Sequence, residues 1–149
     1  DAIVREVALD LAPLIADKQL DFELQADTPV HVLAHEWMLR ELVRNLLHNA
    51  IRHAPIGSAL HVVLAPDHMQ QQATLHITDQ GPGLSDELMQ RLYQPFSAGD
   101  SRSGSGLGLA ICLEIVQALG GQLELRNRSD VEQVQGLLAS STLPLVRTT

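Results

Sequence analysis

Three groups of residues have the types and spacings needed to hold a phosphorylated ligand. Gly104, Gly106 and Gly108 stand in the run Gly-Ser-Gly-Leu-Gly-Leu-Ala, which opens an apolar helical stretch. Glycine lets the main chain approach an anion with no Cβ in the way, and the first free N–H groups of the following helix favour bound phosphate. The same run also suits an ordinary loop with a helix N-cap. Asp79-Gln80-Gly81-Pro82-Gly83 follows the alternating segment from Ala73 to Thr78, a pattern that predicts a strand ending in a glycine turn. A carboxylate at a strand end can accept a hydrogen bond from an exocyclic amine such as N6 of adenine, and two glycines let the backbone pass flat beside a ring. A helix cap or a plain turn is the alternative for Asp79. In the third group, Glu41, Asn45, Asn49 and either Arg52 or His53 fall one turn apart on one face of a predicted helix. Asparagine is a mediocre helix former, and its amide oxygen suits Mg²⁺, an ion that keeps most of its waters and takes phosphate oxygens. A solvated polar face is the alternative.

In order along the chain, these motifs resemble the ATP-binding catalytic domain of sensor histidine kinases, within the GHKL ATPase group. The resemblance covers nearly the whole chain. Asn45-Leu-Leu-His48-Asn49-Ala resembles the N box, Asp79-Gln-Gly81-Pro-Gly83 the first glycine box, Tyr93-Gln-Pro95-Phe96 the F box that begins a lid, and Gly104-Ser-Gly106-Leu107-Gly108 the second glycine box. The resemblance implies that Asn45 and Asn49 form the catalytic pair, Asn49 coordinating Mg²⁺ and Asn45 lying near the phosphates. It implies that Asp79 holds the adenine amine, that Gly81 and Gly83 shape that end of the pocket, and that Gly104, Gly106, Leu107 and Gly108 run along the phosphates. Arg52 would reach phosphate and the ring of His53 would lie against adenine. His53 stands where the family commonly has Tyr, Ser103 where it often has glycine, and the lid stretch from Ser97 to Ser103 is short.

The resemblance further implies a transferase that binds Mg-ATP and presents its γ-phosphate to a histidine on a separate, dimerising phosphoacceptor domain, with a response regulator as the downstream partner. In hydrolytic relatives such as type II topoisomerases and mismatch-repair ATPases, a glutamate at the position of Asn45 activates water. An amide cannot take that proton, which favours transfer over hydrolysis. A nucleotide-binding regulatory module without transfer activity and a stand-alone ATPase are the other two readings. The pair His35-Glu36 superficially matches a phosphoacceptor motif, but it immediately precedes the predicted Asn-bearing helix, so the chain alone is expected not to label itself. The start at Asp1, with no methionine, is read as a fragment of a longer protein: a cytoplasmic piece of a homodimeric bacterial inner-membrane sensor, the fragment itself a monomer.

Apolar spacing predicts the elements that position these groups. Ile3, Val4, Val7, Ala8, Leu11, Leu14 and Ile15 mark an opening helix bent at Pro13, and Phe22-Leu24 and Val30-Val32 mark two short strands. Leu39, Leu42, Val43, Leu46, Leu47, Ala50 and Ile51 form the core stripe of the Asn-bearing helix. Strands are expected from 59 to 65 and 73 to 79, a short helix from Ser85 to Leu92, and a helix after Gly106 that stops at Gly120-Gly121. A closing hairpin of 122–127 and 136–143 completes the set. Interleaved helices and paired strands predict an α/β fold, a two-layer sandwich of about five mixed strands with three helices on one face, spanning 1–149 as one domain.

Composition narrows the classes. The chain has 149 residues, 45% of them hydrophobic, which is enough for a sizeable core. Its formal charge of −8 and its two Phe, one Trp and one Tyr argue against a nucleic-acid surface or a stacking platform. Arg44, Arg52 and Arg102 are the cations available to offset a nucleotide's charge. No stretch is long enough to cross a bilayer. The lone Cys112 lies on an apolar helix face, so burial is expected and an internal disulfide is excluded; a reducing compartment fits. The absence of GxxxxGK[ST] and the distance of the glycine run from the first strand exclude P-loop and dinucleotide-binding folds.

Overall fold

The computed structural model describes residues 1–83, 85, 105–129 and 134–145. Its elements are α1 (Ala2–Asp10), α2 (Ala12–Asp17), β1 (Asp21–Gln25), α3 (Glu36–His53), β2 (Ala59–Asp67), β3 (Gln72–Thr78), α4 (Ser105–Ala118), β4 (Gln122–Ser129) and β5 (Val134–Pro144). The strands form one sheet in the order β1-β2-β3-β5-β4. Only the β1–β2 pairing is parallel; the other three are antiparallel.

Register explains why the sheet has a dry side and a wet side. Val62 stands opposite Ile77, Ile77 opposite Ala139, and Ala139 opposite Leu125, so four strands place buried apolar residues in one row. A one-residue slip in any pair would send that row to solvent. The helical layer is packed against this face: Val7 of α1, Leu46 and Leu47 of α3 and Leu109 and Val116 of α4 join Leu60, Val62 and Ile77 in one core cluster. The mixed five-stranded sheet with helices on one face is therefore the expected α/β sandwich. The other face carries Thr74 against Thr142 and His76 against Ser140, hydroxyl and imidazole pairs at 3.0 and 2.9 Å.

The structure departs from the sequence pattern in three places in this half of the chain. The opening helix is two helices, because the first turn restarts at Leu11 and Pro13 occupies the first turn of α2. There the missing N–H has no partner to lose and the fixed φ suits a helix start. Val30 and Val32 belong to no strand, since no segment among the described residues forms a ladder with residues 26–35. Val30 instead donates its N–H to Asp1 Oδ1 at 3.5 Å. Strand β2 continues through Pro66, which pairs only with Ala73 because β1 has already ended at the Gln25↔Val63 register. A proline is tolerated where one edge of the strand is open. Apart from Ser85, the helix expected over 85–92 lies outside the described residues, as do Tyr93, Pro95, Phe96 and the 97–103 stretch.

Candidate functional site

Helix α3 carries the polar face that the sequence sets one turn apart. Its apolar stripe is driven into the core, with Leu42, Leu46 and Leu47 all buried, and Asn45 and Asn49 flank that stripe, on the side where Asn45 meets Gly108 of α4. Asn45 Nδ2 donates to the Glu41 backbone oxygen at 2.7 Å and to Glu41 Oε2 at 3.2 Å. With both acceptors on its nitrogen side, the amide must turn Oδ1 the other way, toward Gly108, where a Cβ would sit 3.3 Å from it. Glu41, for which the sequence supplies no clear role, thus orients Asn45.

Asn49, one turn on, is 5% exposed, and its Oδ1 is buried without a hydrogen-bond partner among the described residues. A buried neutral oxygen left unpaired costs about 1–3 kcal/mol. Such an oxygen is the donor type that a hard divalent cation takes, so the residue fits Mg²⁺. The Nε2 of His53 is a second buried atom without a partner among the described residues. Arg52 is exposed and makes no ion pair among the described residues. Arg44 pairs with Asp10 at 3.3 Å, which directs it to α1.

Asp79 closes the other side. It is 2% exposed and lies one residue past β3, where its N–H still reaches the Leu137 carbonyl at 3.1 Å. Its Oδ1 accepts from the Gly81 N–H at 2.8 Å and the Leu137 N–H at 3.3 Å. Among the described residues every hydrogen bond to this carboxylate falls on Oδ1. Burial pushes the carboxyl above its ordinary value, and the two backbone N–H groups, His53 and Arg128 pull it partly back. His53 is held below the usual imidazole range by burial and then by the Arg52 charge, with Lys18 acting in the same sense and Asp79 opposing. A neutral imidazole beside a buried acid is the result.

Glycines bring these pieces together. A Cβ on Gly81 would fall inside 3.0 Å of the His53 carbonyl oxygen, so α3 and the Asp79 turn meet at a distance only glycine permits. Gly83 has φ +74°, within the same turn. Two contributors escape a reading by motif. Gly136, at φ +149°, would drive a Cβ into the Asp79 carbonyl oxygen, and Arg128 Nη1 donates to that same oxygen at 3.1 Å. Both act from the closing hairpin, more than forty residues away, and no local pattern marks them.

Helix α4 starts at Ser105, ahead of the expected start after Gly106, so Gly106, Leu107 and Gly108 lie in its first turn. Gly104 is outside the described residues, as is Arg102. The structure therefore brings Asn45, Asn49, His53, Asp79, Gly81 and the N-terminal turn of α4 to one end of the helical layer. His35 and Glu36 form the N-terminal start of α3, with Glu36 paired to Arg40 at 2.8 Å. A separate apolar cavity of about 340 Å³ between α1, α3 and the sheet is lined by Ile3, Val32, Leu39, Leu75 and Ser141 among others, and shares no residue with this site.

A one-sided mixed sheet, an asparagine helix and a buried acid at a glycine turn define a nucleotide-binding α/β sandwich. The chain belongs to the histidine kinase-, DNA gyrase B-, and HSP90-like ATPase family, whose model matches residues 34–146. It is 40% identical over 106 residues to the C4-dicarboxylate transport sensor protein DctB of Pseudomonas aeruginosa, covering 68% of this chain and 17% of that protein. It is 32% identical over 126 residues to the sensor protein kinase PmrB of the same species, covering 83% of this chain and 26% of the relative. The chain thus spans well under half the length of these curated relatives. Among solved structures, the mycobacterial sensor histidine kinase MprB is 28% identical with a TM-score of 0.78, covering 99% of this chain and 96% of that one. The catalytic domain of histidine kinase ThkA shares the fold at 23% identity, TM-score 0.79, covering 96% and 91%. The fold is that of the ATP-binding catalytic domain of sensor histidine kinases. No helix among the described residues is long and apolar enough to cross a membrane.

Proposed function

We propose that residues 1–149 act as one ATP-binding catalytic unit of a two-component sensor histidine kinase, which presents the γ-phosphate of Mg-ATP to a histidine on a separate domain. The observation that carries this reading is the pairing of a buried, Oδ1-anchored Asp79 with an unpartnered, buried Asn49 Oδ1 at one end of the helical layer. Asp79 accepts from the adenine amine, and the ring of His53 lies beside it. Gly81 and Gly83 keep the turn thin at that end. Asn49 holds Mg²⁺, which when bound neutralises phosphate charge. Asn45, oriented by Glu41, sits on the phosphate side with Gly106 and Gly108 of the first turn of α4; Gly104 and Leu107 are assigned to the phosphates by the family resemblance, and Arg52 adds a cation. Phosphoryl transfer of this kind rests on positioning and charge neutralisation, and an accepting neutral imidazole needs no strong base.

The partners in this reading are the phosphoacceptor domain of the same kinase and a response regulator. A structure of histidine kinase ThkA with the response regulator TrrA supports the latter by likeness of fold. The parent protein would be a homodimeric bacterial membrane sensor, and this chain a cytoplasmic, monomeric part of it that does not label itself.

Mixing the chain with a dimeric histidine-bearing partner and labelled ATP tests the proposal. Acid-labile label on the partner is expected. Binding without label transfer would favour a regulatory module, and steady phosphate release without a partner would favour a stand-alone ATPase.

A further inference from the structure

The C-terminal turn of α3 carries Arg52 and His53, yet its last carbonyls have no intrahelical partner, as at any helix end. Lys18, at the end of α2, supplies what they lack. Its Nζ donates to the carbonyls of Ile51 at 2.9 Å, Arg52 at 2.8 Å and Ala54 at 2.9 Å, which uses all three ammonium protons. Its own carbonyl accepts from the Gly57 N–H at 2.9 Å, so the residue grips the turn and the segment after it. The one carbonyl of that turn left out of the grip is that of His53, which meets Gly81 instead. The turn is therefore pinned from two sides, by an ammonium on one and by the Asp79 glycine turn on the other. A helix C-terminus also presents partial negative charge, and a cation there offsets it where an anionic ligand must approach.

We propose that Lys18 is a positioning residue for nucleotide binding, fixing the last turn of α3 so that Arg52 and His53 keep their places beside Asp79. This rests on the reading of that pocket as the nucleotide site. Lys18 touches no part of a ligand; it acts through the carbonyls of residues that do. Removing it frees the turn and withdraws a positive charge from the neighbourhood of His53.

The test compares the parent chain with Lys18→Met, which keeps the aliphatic stem, and Lys18→Arg, which keeps the charge but cannot converge three donors on one point. Calorimetric titration with the non-hydrolysable analogue Mg-AMPPNP, well below all three melting temperatures, is expected to show affinity weakened about tenfold in Lys18→Met and less in Lys18→Arg. The His53 imidazole, followed by NMR, faces Arg52, Asp79 and Lys18, and its titration is expected to move up in Lys18→Met and to stay near the parent in Lys18→Arg. A lower melting temperature with unchanged affinity and an unmoved His53 would show a purely structural tie and overturn the inference. If the parent chain binds no nucleotide, the reading of the pocket fails and the inference with it; a parent that binds, with Lys18→Met binding equally well, overturns the inference alone.

Discussion

The carbonyl oxygen of His53 and the α-carbon of Gly81 meet so closely that no side chain fits between the Asn-bearing helix and the Asp79 turn. The atom in the way is backbone and cannot rotate aside. Gly81→Ala must therefore push the turn off α3, at a cost of about 1–3 kcal/mol, the range for overpacking a tight contact. Chemical denaturation measures that loss. Because Asp79 Oδ1 takes the Gly81 N–H, nucleotide affinity should fall in the same variant.

Asp79→Asn separates function from stability. The folded chain holds this carboxyl above its ordinary 3.8, mainly through burial, so folding favours the protonated form. Stability contributed by the residue is then greatest below pH 3.8, and falls as pH rises through the raised value, because ionisation is easier in the unfolded chain. An asparagine keeps an oxygen for the Gly81 and Leu137 N–H groups and removes the buried charge. The variant is expected to be at least as stable as the parent at pH 7 by denaturant titration. Its nucleotide affinity should drop by about 2 kcal/mol or more, since an amide N–H would face the adenine amine donor.

The Asn-bearing helix, the strand before Asp79 and the two glycine turns are legible in sequence because each is local: a 3.6-residue stripe, an alternation, a φ or close-approach requirement. What escapes is long-range. Val30 and Val32 alternate like a strand, but a strand exists only with a ladder partner, and pattern does not reveal one. Gly136 and Arg128 hold the Asp79 carbonyl from the far hairpin, and Lys18 holds α3 across more than thirty residues. Their neighbours in sequence carry no trace of these contacts.

His53 gives a pH dependence of opposite sense. Burial and the charges of Arg52 and Lys18 hold it below 6.5, so stability tied to its neutral form is present above pH 6.5 and is lost as pH falls from there through the depressed folded value. His53→Phe cannot take up that proton. Denaturant midpoints of the two proteins, compared at pH 7.5 and 5.5, should shift in favour of the variant at the lower pH. A constant difference would show that His53 titrates alike in both states.

Cys112 is fully buried in α4, its thiol pushed up to about 12 by burial, with Sγ 3.7 Å from the Leu42 carbonyl. Thiolate is the reactive species, so the native chain should react with a disulfide reagent roughly a thousandfold or more slowly than the unfolded chain. Fast labelling under native conditions would mean that α4 opens readily from α3.

Asn49 and Asp79 divide the ligand between them, and their variants should fail differently. Asn49→Ala removes a buried oxygen that has no partner among the described residues, so part of the usual truncation cost is returned and stability should change by about 1 kcal/mol or less. If that oxygen holds the divalent ion, the parent binds ATP more tightly with Mg²⁺ than with EDTA, and in Asn49→Ala the two titrations converge on the weaker value. Asp79→Asn should instead weaken both titrations while leaving their ratio intact, because the base and the metal are read by different groups. Calorimetry on the two variants, with and without Mg²⁺, measures both ratios. An Asn49→Ala chain that kept the full Mg²⁺ enhancement would place the ion on other residues and leave the buried amide oxygen without a function.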